Sequence, residues 1–495
     1  MAAYENSAHK GRLEIIPVIE NAFASLHVTE QPDRSIPNFI QGTDRAIPIH
    51  QLNENGSDRY QGAIFNFPFL FHKDGSPWVE ANSFFMSLLR DKHPDLRPTD
   101  GVRRKASKLL DYLLYCECNG IDWLDFSGKR ASQRPTYRYY HHLCSSGAMR
   151  QIVVNQYSAA VYEFYKYVCE YWHPIDIRRV DSVEVVRLHI EDRYGVNRSI
   201  SVEKRELSKS VSRQTVPAIG FVYDDGEPLR PLSNSQLAEL LSVTRKAEWS
   251  AIEQLILNVA LMTGARKQSV LTIRGRHLEL FSKNKPGSDG CYVVHAGPGT
   301  GIDTKNGKSQ VLHFPAQLAE ELIVYFKSDL AKKRRGVFEE KYRREYPGLP
   351  AIADEDAYVF ISEQGNCYYM AIDDPRYKFV KSRPVGQVTE TIKRKLLSKV
   401  SSDFPVHFSY HWLRATFAYQ LYQYLLPYLK SGYLQPGEEI SIIQYRLHHE
   451  RRETTENYLK LFTMIPGKIL AQEDYEKVLF GFSGYEDLLL SGGYV

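Results

Sequence analysis

HFSYHWLRATFAYQLY, residues 407–422, is the most informative stretch of this chain. His411 and Arg414 are three residues apart, so a helix here puts them on one face, where they can meet a phosphate. Taken alone, the pair could equally cap and solvate a helix end. His407 and His411 have the i, i+4 spacing of metal ligands, but no carboxylate or third ligand stands at a spacing that completes such a site.

Three further stretches line up with this one. LMTGARKQSVLTIR, residues 261–274, puts Arg266 just after a helix end, where Gly264 can take the positive φ of a C-cap. A guanidinium on so short a turn is well placed to fork onto a phosphate, although a surface arginine would look the same. DTKNGKSQVLHF, residues 303–314, contains Asn306-Gly307, a two-residue hairpin signal, with Lys305 and Lys308 beside it. A Walker phosphate loop would need glycine at position 302. The residue there is Ile302, so nucleotide binding is rejected. RLHHERRETTENYLK, residues 446–460, carries His449 and Tyr458, with Thr454-Thr455 as a helix start that places Tyr458 one turn in. In isolation that tyrosine reads as packing and those histidines as surface.

The chain has 495 residues, 43% hydrophobic and 25% charged, near globular averages. This excludes a mostly disordered chain, a collagen and a simple coiled coil. The length supports two to four domains. No apolar run suffices for a membrane span or a signal peptide, so an intracellular protein is expected. The six cysteines are scattered without a CxxC pair and read as reduced thiols. The net charge of +4 is too mild to announce a nucleic-acid binder, so any DNA-binding surface must come from local clustering.

The pattern predicts a mainly α protein with small β elements. Residues 1–78 read as an appendage with an apolar strand at 64–71. Residues 79–175 read as a four-helix bundle, with helices over 102–115 and 151–171 and a basic, aromatic surface segment RPTYRYY at 134–140. Residues 176–230 read as a connector with room for a hairpin. From 231 to 495 a mixed domain follows: helices from Ser233 or Asn234 and over 248–262, strands at 291–294 and 309–314, then further helices.

Arg266, Lys305, His411-x-x-Arg414, His449 and Tyr458 occur in this order, with TGAR, HWLR and TTENY around them. The set resembles the tyrosine recombinases, the phage-integrase family, over 231–460. The likeness continues faintly into 79–175, which is similar to that family's helical core-binding domain. Two residues depart from the family pattern: Ser269 stands where an acid is usual, and His448 where Leu-Gly-His has its glycine. PYLKSGYLQPGEE, between Arg414 and His449, reads as an insertion in a surface loop.

The resemblance implies DNA strand cleavage by Tyr458, leaving a 3′-phosphotyrosine and a free 5′-hydroxyl, with no metal, cofactor or ATP. It implies that His411 is the base and that Arg266, Arg414 and His449 stabilise the phosphoryl oxygens. Lys305, on a mobile hairpin, protonates the leaving oxygen. It implies double-stranded DNA as partner, a homo-tetramer on DNA, and a mobile element in a bacterial cytoplasm as the setting. Candidate phosphate contacts are Arg103, Arg104, Lys105, Lys108, Lys129, Arg130, Arg134 and Arg138 in the helical domain. Lys283, Lys285 and the run Lys332-Lys333-Arg334-Arg335 are candidates in the catalytic one, the run being equally a solvated helix face. The 37 residues after Tyr458 carry apolar positions that dock either on their own domain or on a neighbour. A type IB topoisomerase and a DNA-binding relative without activity are the rival readings.

Overall fold

The computed structural model describes residues 11–20, 22, 26–28, 50–52, 63–90, 92, 97–191, 197–209, 221–224, 227–450 and 452–458. It divides into two compact units, Met1–Arg213 with Lys378–Lys381, and Gln214–Tyr377 with Ser382–Val495. The described elements are mainly helices, with small two-stranded antiparallel sheets.

In the first unit, β1 (Leu13–Ile19) pairs with β4 (Ile64–Leu70), placing Leu13 opposite Leu70. β2 (Leu26–Val28) pairs with β3 (His50–Leu52). The four helices expected over 79–175 are α1 (Val79–Ser87), α2 (Thr99–Cys118), α3 (Pro135–Ser145) and α4 (Gln151–Tyr171). Leu109, Leu110, Leu113 and Leu114 are all buried, the stripe that the spacing predicts.

The structure draws the unit boundaries elsewhere than the sequence reading did. Ile64, Phe67 and Leu70 of β4 share one core with Trp78, Phe85, Leu109 and Phe164, so the segment before residue 79 contributes to this unit. Each such side chain is stabilised by about 1.5–3 kcal/mol on burial, too much to leave in water. RPTYRYY is a surface segment only in its basic residues: Pro135 opens α3, Tyr137, Tyr139 and Tyr140 are buried, and Arg138 is exposed. The expected connector is split. After the short α5 (Ile177–Val180), β5 (Val183–Glu191) and β6 (Asn197–Arg205) form a hairpin in the first unit. β7 (Val222–Asp224) and β8 (Glu227–Leu229) belong to the second.

The second unit is built around α7 (Ala251–Thr263), preceded by α6 (Asn234–Thr244). Both start at capping boxes, Ser233 with Gln236 and Ser250 with Glu253. Ile252, Leu255, Ile256, Leu257, Val259 and Ala260 bury several sides of α7, as befits a central helix. α8 (Lys267–Leu271) and α9 (Gly275–Lys283) lead to β9 (Cys291–Ala296), which pairs with β10 (Gln310–Pro315) from Cys291 opposite Pro315 to Ala296 opposite Gln310. α10 (Ala316–Lys327), α11 (Asp329–Glu345), α12 (Val388–Leu397), α13 (Trp412–Lys430) and α14 (Glu438–Leu447) follow, then α15 over 452–458.

Two local expectations change. Asn306 and Gly307 do take the positive φ values of a tight turn, 58° and 63°. Yet the strands end at Ala296 and resume at Gln310, so the turn sits inside a long loop rather than closing a two-residue hairpin. The expected insertion loop is narrower than the sequence suggests: α13 continues through Pro427 to Lys430 and α14 takes up Glu438, leaving 431–437 as the loop.

Candidate active site

Arg266, Lys305, His411 and Arg414 each sit at the start of a helix or turn. Gly264 closes α7 with φ +67°, and an added Cβ there would lie 2.6 Å from the Phe417 ring. Glycine is therefore required both for the turn and for the close approach. Two residues on, Arg266 is the N-cap of α8. His411 is the N-cap of α13, and Arg414 lies in its first turn. His407 lies in the loop before that helix, so its spacing to His411 does not put the two on a helical face. Lys305 begins the turn 305–307 in the β9–β10 loop.

These positions converge. A cleft of roughly 540 Å³ is lined by Arg266, Lys305, His411 and Arg414. Lys267, Lys393 and His407 add further basic groups, and Glu390 is the one carboxylate of the lining among the described residues. A recess this cationic can accept an anionic group such as a phosphate. Lys393 and Glu390 lie on α12, one turn apart with Nζ and Oε2 3.7 Å from each other. The sequence reading missed both, because only tertiary packing brings α12 to the cleft.

Arg414 is also a fastening. It is 3% exposed, and its Nη1 donates to the Gly264 carbonyl at 2.7 Å while Nη2 donates to the Leu447 carbonyl. One guanidinium thus ties the turn that carries Arg266 to the turn that carries His449. A fixed planar fork can do this; a lysine cannot.

His449 and Tyr458 are not among the residues lining the cleft. They pack together, ring centroids 5.2 Å apart, and Nδ1 of His449 lies 3.0 Å from the Thr455 hydroxyl. His449 is 8% exposed, and Tyr458 is fully buried in the core. α15 begins at residue 452, earlier than Thr454, so Tyr458 lies almost two turns into it. The structure thus gathers four of the six residues in the cleft and sets the other two side by side in the packed interior.

The two departures from the family pattern have local reasons. His448 caps α14 at φ +53°, the left-handed position where glycine is cheapest. Its Nε2 meets the Val311 carbonyl at 2.7 Å, which ties the turn to β10. Burial, with Arg414, His313 and Arg266 nearby, pushes its pKa down to about 4, so it is neutral at pH 7. Ser269 is 1% exposed, and its hydroxyl donates to the Asp303 carbonyl at 2.8 Å. An acid at that position would face a carbonyl oxygen.

Of the basic candidates in the first unit, Arg104, Lys129, Arg130 and Arg138 are exposed. Arg104 also donates to the Asp100 carbonyl at 3.2 Å, and the other four are less exposed and engaged: Arg103 with the Lys381 carbonyl, Lys105 with Glu163, Lys108 over the Tyr157 ring, and Arg134 with the Gly128 and Arg179 carbonyls. In the second unit Lys283 pairs with Glu279 at 2.7 Å, and Lys285 is exposed. The run 332–335 is divided by helix geometry: Lys332 and Lys333 face out, Arg334 and Arg335 inward. Arg334 binds Glu363 and the Ile361 carbonyl, and Arg335 binds Asp354 while stacking on Phe326 at 3.9 Å. Those two arginines are therefore structural.

No protein-family model and no curated protein matches the chain. Among solved structures it is similar to the XerH site-specific recombinase bound to palindromic difH substrate in a post-cleavage complex. That match has 14% identity and a TM-score of 0.40, covering 81% of this chain and 89% of the other. It is also similar to the Tn1549 transposon integrase in complex with transposon right end DNA, at 14% identity and TM-score 0.39, covering 76% and 93%. A third similarity is to the XerA recombinase, at 14% identity and TM-score 0.27, covering 80% and 96%.

Proposed function

We propose that this protein is a site-specific DNA recombinase that cuts and rejoins strands through a 3′-phosphotyrosine on Tyr458. The observation that carries the reading is the meeting of Arg266, Lys305, His411 and Arg414, from three separate chain segments, in one cleft.

In this reading Arg266 and Arg414 bracket the non-bridging oxygens of the scissile phosphate, and His449 adds a hydrogen bond as charge builds. Losing one such donor costs about 10²–10³ in rate. His411 takes the phenolic proton, which an unperturbed tyrosine holds with a pKa near ~10. The tyrosyl oxygen bonds to phosphorus, the bond to the 5′ oxygen breaks, and Lys305 supplies the proton to that oxygen. The covalent link conserves the phosphodiester bond energy for rejoining, so no ATP is consumed. Guanidinium and ammonium groups supply the positive charge in this lining, in which Glu390 is the single carboxylate among the described residues.

A nicked suicide site tests this. Incubation in excess EDTA, then denaturing electrophoresis and peptide mapping, is expected to give a covalent adduct on the peptide carrying Tyr458. An adduct that forms only when magnesium is restored, or that maps to another residue, would overturn the mechanism.

We propose double-stranded DNA as the partner, held mainly through its backbone, with four copies assembling around two sites. A mobile element in a bacterial cytoplasm is the proposed setting. No described helix is long and apolar enough to cross a membrane. The residues after 458 lie outside the described ones, and we assign them to docking on a neighbouring copy. Truncation after about residue 466 is then expected to weaken two-site assembly more than one-site binding in gel-shift titrations. Equal weakening, with a lower melting temperature, would make the tail part of its own core.

A further inference from the structure

We infer that Asp303 is a positioning residue for Lys305, holding the loop so that the lysine's ammonium meets the leaving 5′ oxygen. The inference rests on the reading of Lys305 as the acid that protonates that oxygen.

A general acid must come within about 2.6–3.2 Å of its target. Lysine is poorly suited to this without help, because its flexible stem carries about 2 kcal/mol of rotamer entropy. Lys305 also sits in the long connection between β9 and β10, where the strand pairing at Ala296 and Gln310 is remote from it. Something else must fix its backbone.

Asp303, two residues earlier, is fixed through three groups. Its carbonyl accepts from the Ser269 hydroxyl at 2.8 Å. Its N–H donates to the Thr272 hydroxyl at 2.9 Å. Both carboxylate oxygens accept from the Ile372 N–H at 3.2 Å. On the far side the turn is closed on itself, the Thr304 hydroxyl donating to the Lys308 carbonyl at 2.6 Å and the Gly307 N–H to the Thr304 carbonyl at 3.2 Å. The backbone of Lys305 is therefore framed on both sides.

The anchors come from a telling place. Ser269 lies in α8 and Thr272 just beyond it, and Arg266 is the N-cap of that same helix. One short helix thus sets Arg266 directly and Lys305 through Asp303, fixing the phosphate clamp and the proton donor in one frame. Asp303 itself does not line the cleft, so it acts through the loop. Burial and the neighbouring Asp373 raise its pKa, against Ile372, Arg274 and Arg383, which favour the charge. A carboxylate held there against burial is a group kept for its bonds.

The test compares two suicide substrates, one ordinary and one with sulfur in place of the bridging 5′ oxygen at the scissile phosphate. A thiolate leaves without a proton, so the sulfur substrate bypasses the acid. Asp303→Ala is expected to slow cleavage of the oxygen substrate about 10–100-fold, the cost of misplacing a catalytic group by about 1 Å. It should leave the sulfur substrate near the wild-type rate. Lys305→Ala should show the same asymmetry more strongly. Equal slowing of both substrates by Asp303→Ala, or no slowing of either, would overturn the inference while leaving Lys305 in its role if Lys305→Ala is rescued. Lys305→Ala without sulfur rescue would overturn both. If Asp303→Ala does not fold, Ser269→Ala, which removes a different one of the three anchors, decides between the same outcomes.

Discussion

Tyr458→Phe is expected to bind its DNA site with unchanged affinity and to form no covalent adduct on a suicide substrate. The ring is fully buried against His449 at 5.2 Å, and phenylalanine keeps that packing. Removing one hydroxyl costs on the order of 1 kcal/mol of stability. The chemistry has no such tolerance: removing a nucleophile can lower the rate by about 10⁶. Gel shift, thermal melting and denaturing electrophoresis on one preparation separate the effects. An adduct that persists in the variant would move the nucleophile to another residue.

Arg414→Lys is expected to damage both stability and rate. The guanidinium holds the Gly264 and Leu447 carbonyls at once, and an ammonium can hold one of them. Each charge-assisted bond contributes about 1.5–3 kcal/mol, so chemical denaturation should show a loss in that range. Cleavage of the suicide substrate should fall about 10²–10³-fold as the fork on the phosphate is lost. A variant that denatures like the wild type would mean that the two carbonyl contacts contribute nothing to the fold.

The site was legible where local chemistry sets it. Gly264 announced the end of α7 and with it the turn that aims Arg266. The spacing of His411 and Arg414 was enough to put both in the cleft, because α13 begins at Trp412. The leucine stripe of α2 and the capping serine at 233 marked their helices for the same reason.

What escaped the sequence depends on partners distant in the chain. β4 read as a strand, but nothing local says that it pairs with β1 or joins the core of Trp78 and Phe164. Arg334 and Arg335 look like half of a basic run until Glu363 and Asp354 turn them inward. Asn306-Gly307 dictates a turn but not how far away the paired strands stand. Lys393 becomes part of the lining only because α12 packs where it does. Burial of Tyr458 agrees with the packing that the tyrosine suggests in isolation; that it stands apart from the cleft residues was not readable, because that depends on tertiary placement.

That burial bears on how the protein could be improved. With Tyr458 as nucleophile, the side chain that must travel to the phosphate is also one that the interior relies on. Tighter packing around His449, Thr455 and Tyr458 would raise the melting point and the barrier to cutting together. Heat-tolerant variants should therefore be sought at sites remote from this trio, and catalytically eager ones will pay in shelf life.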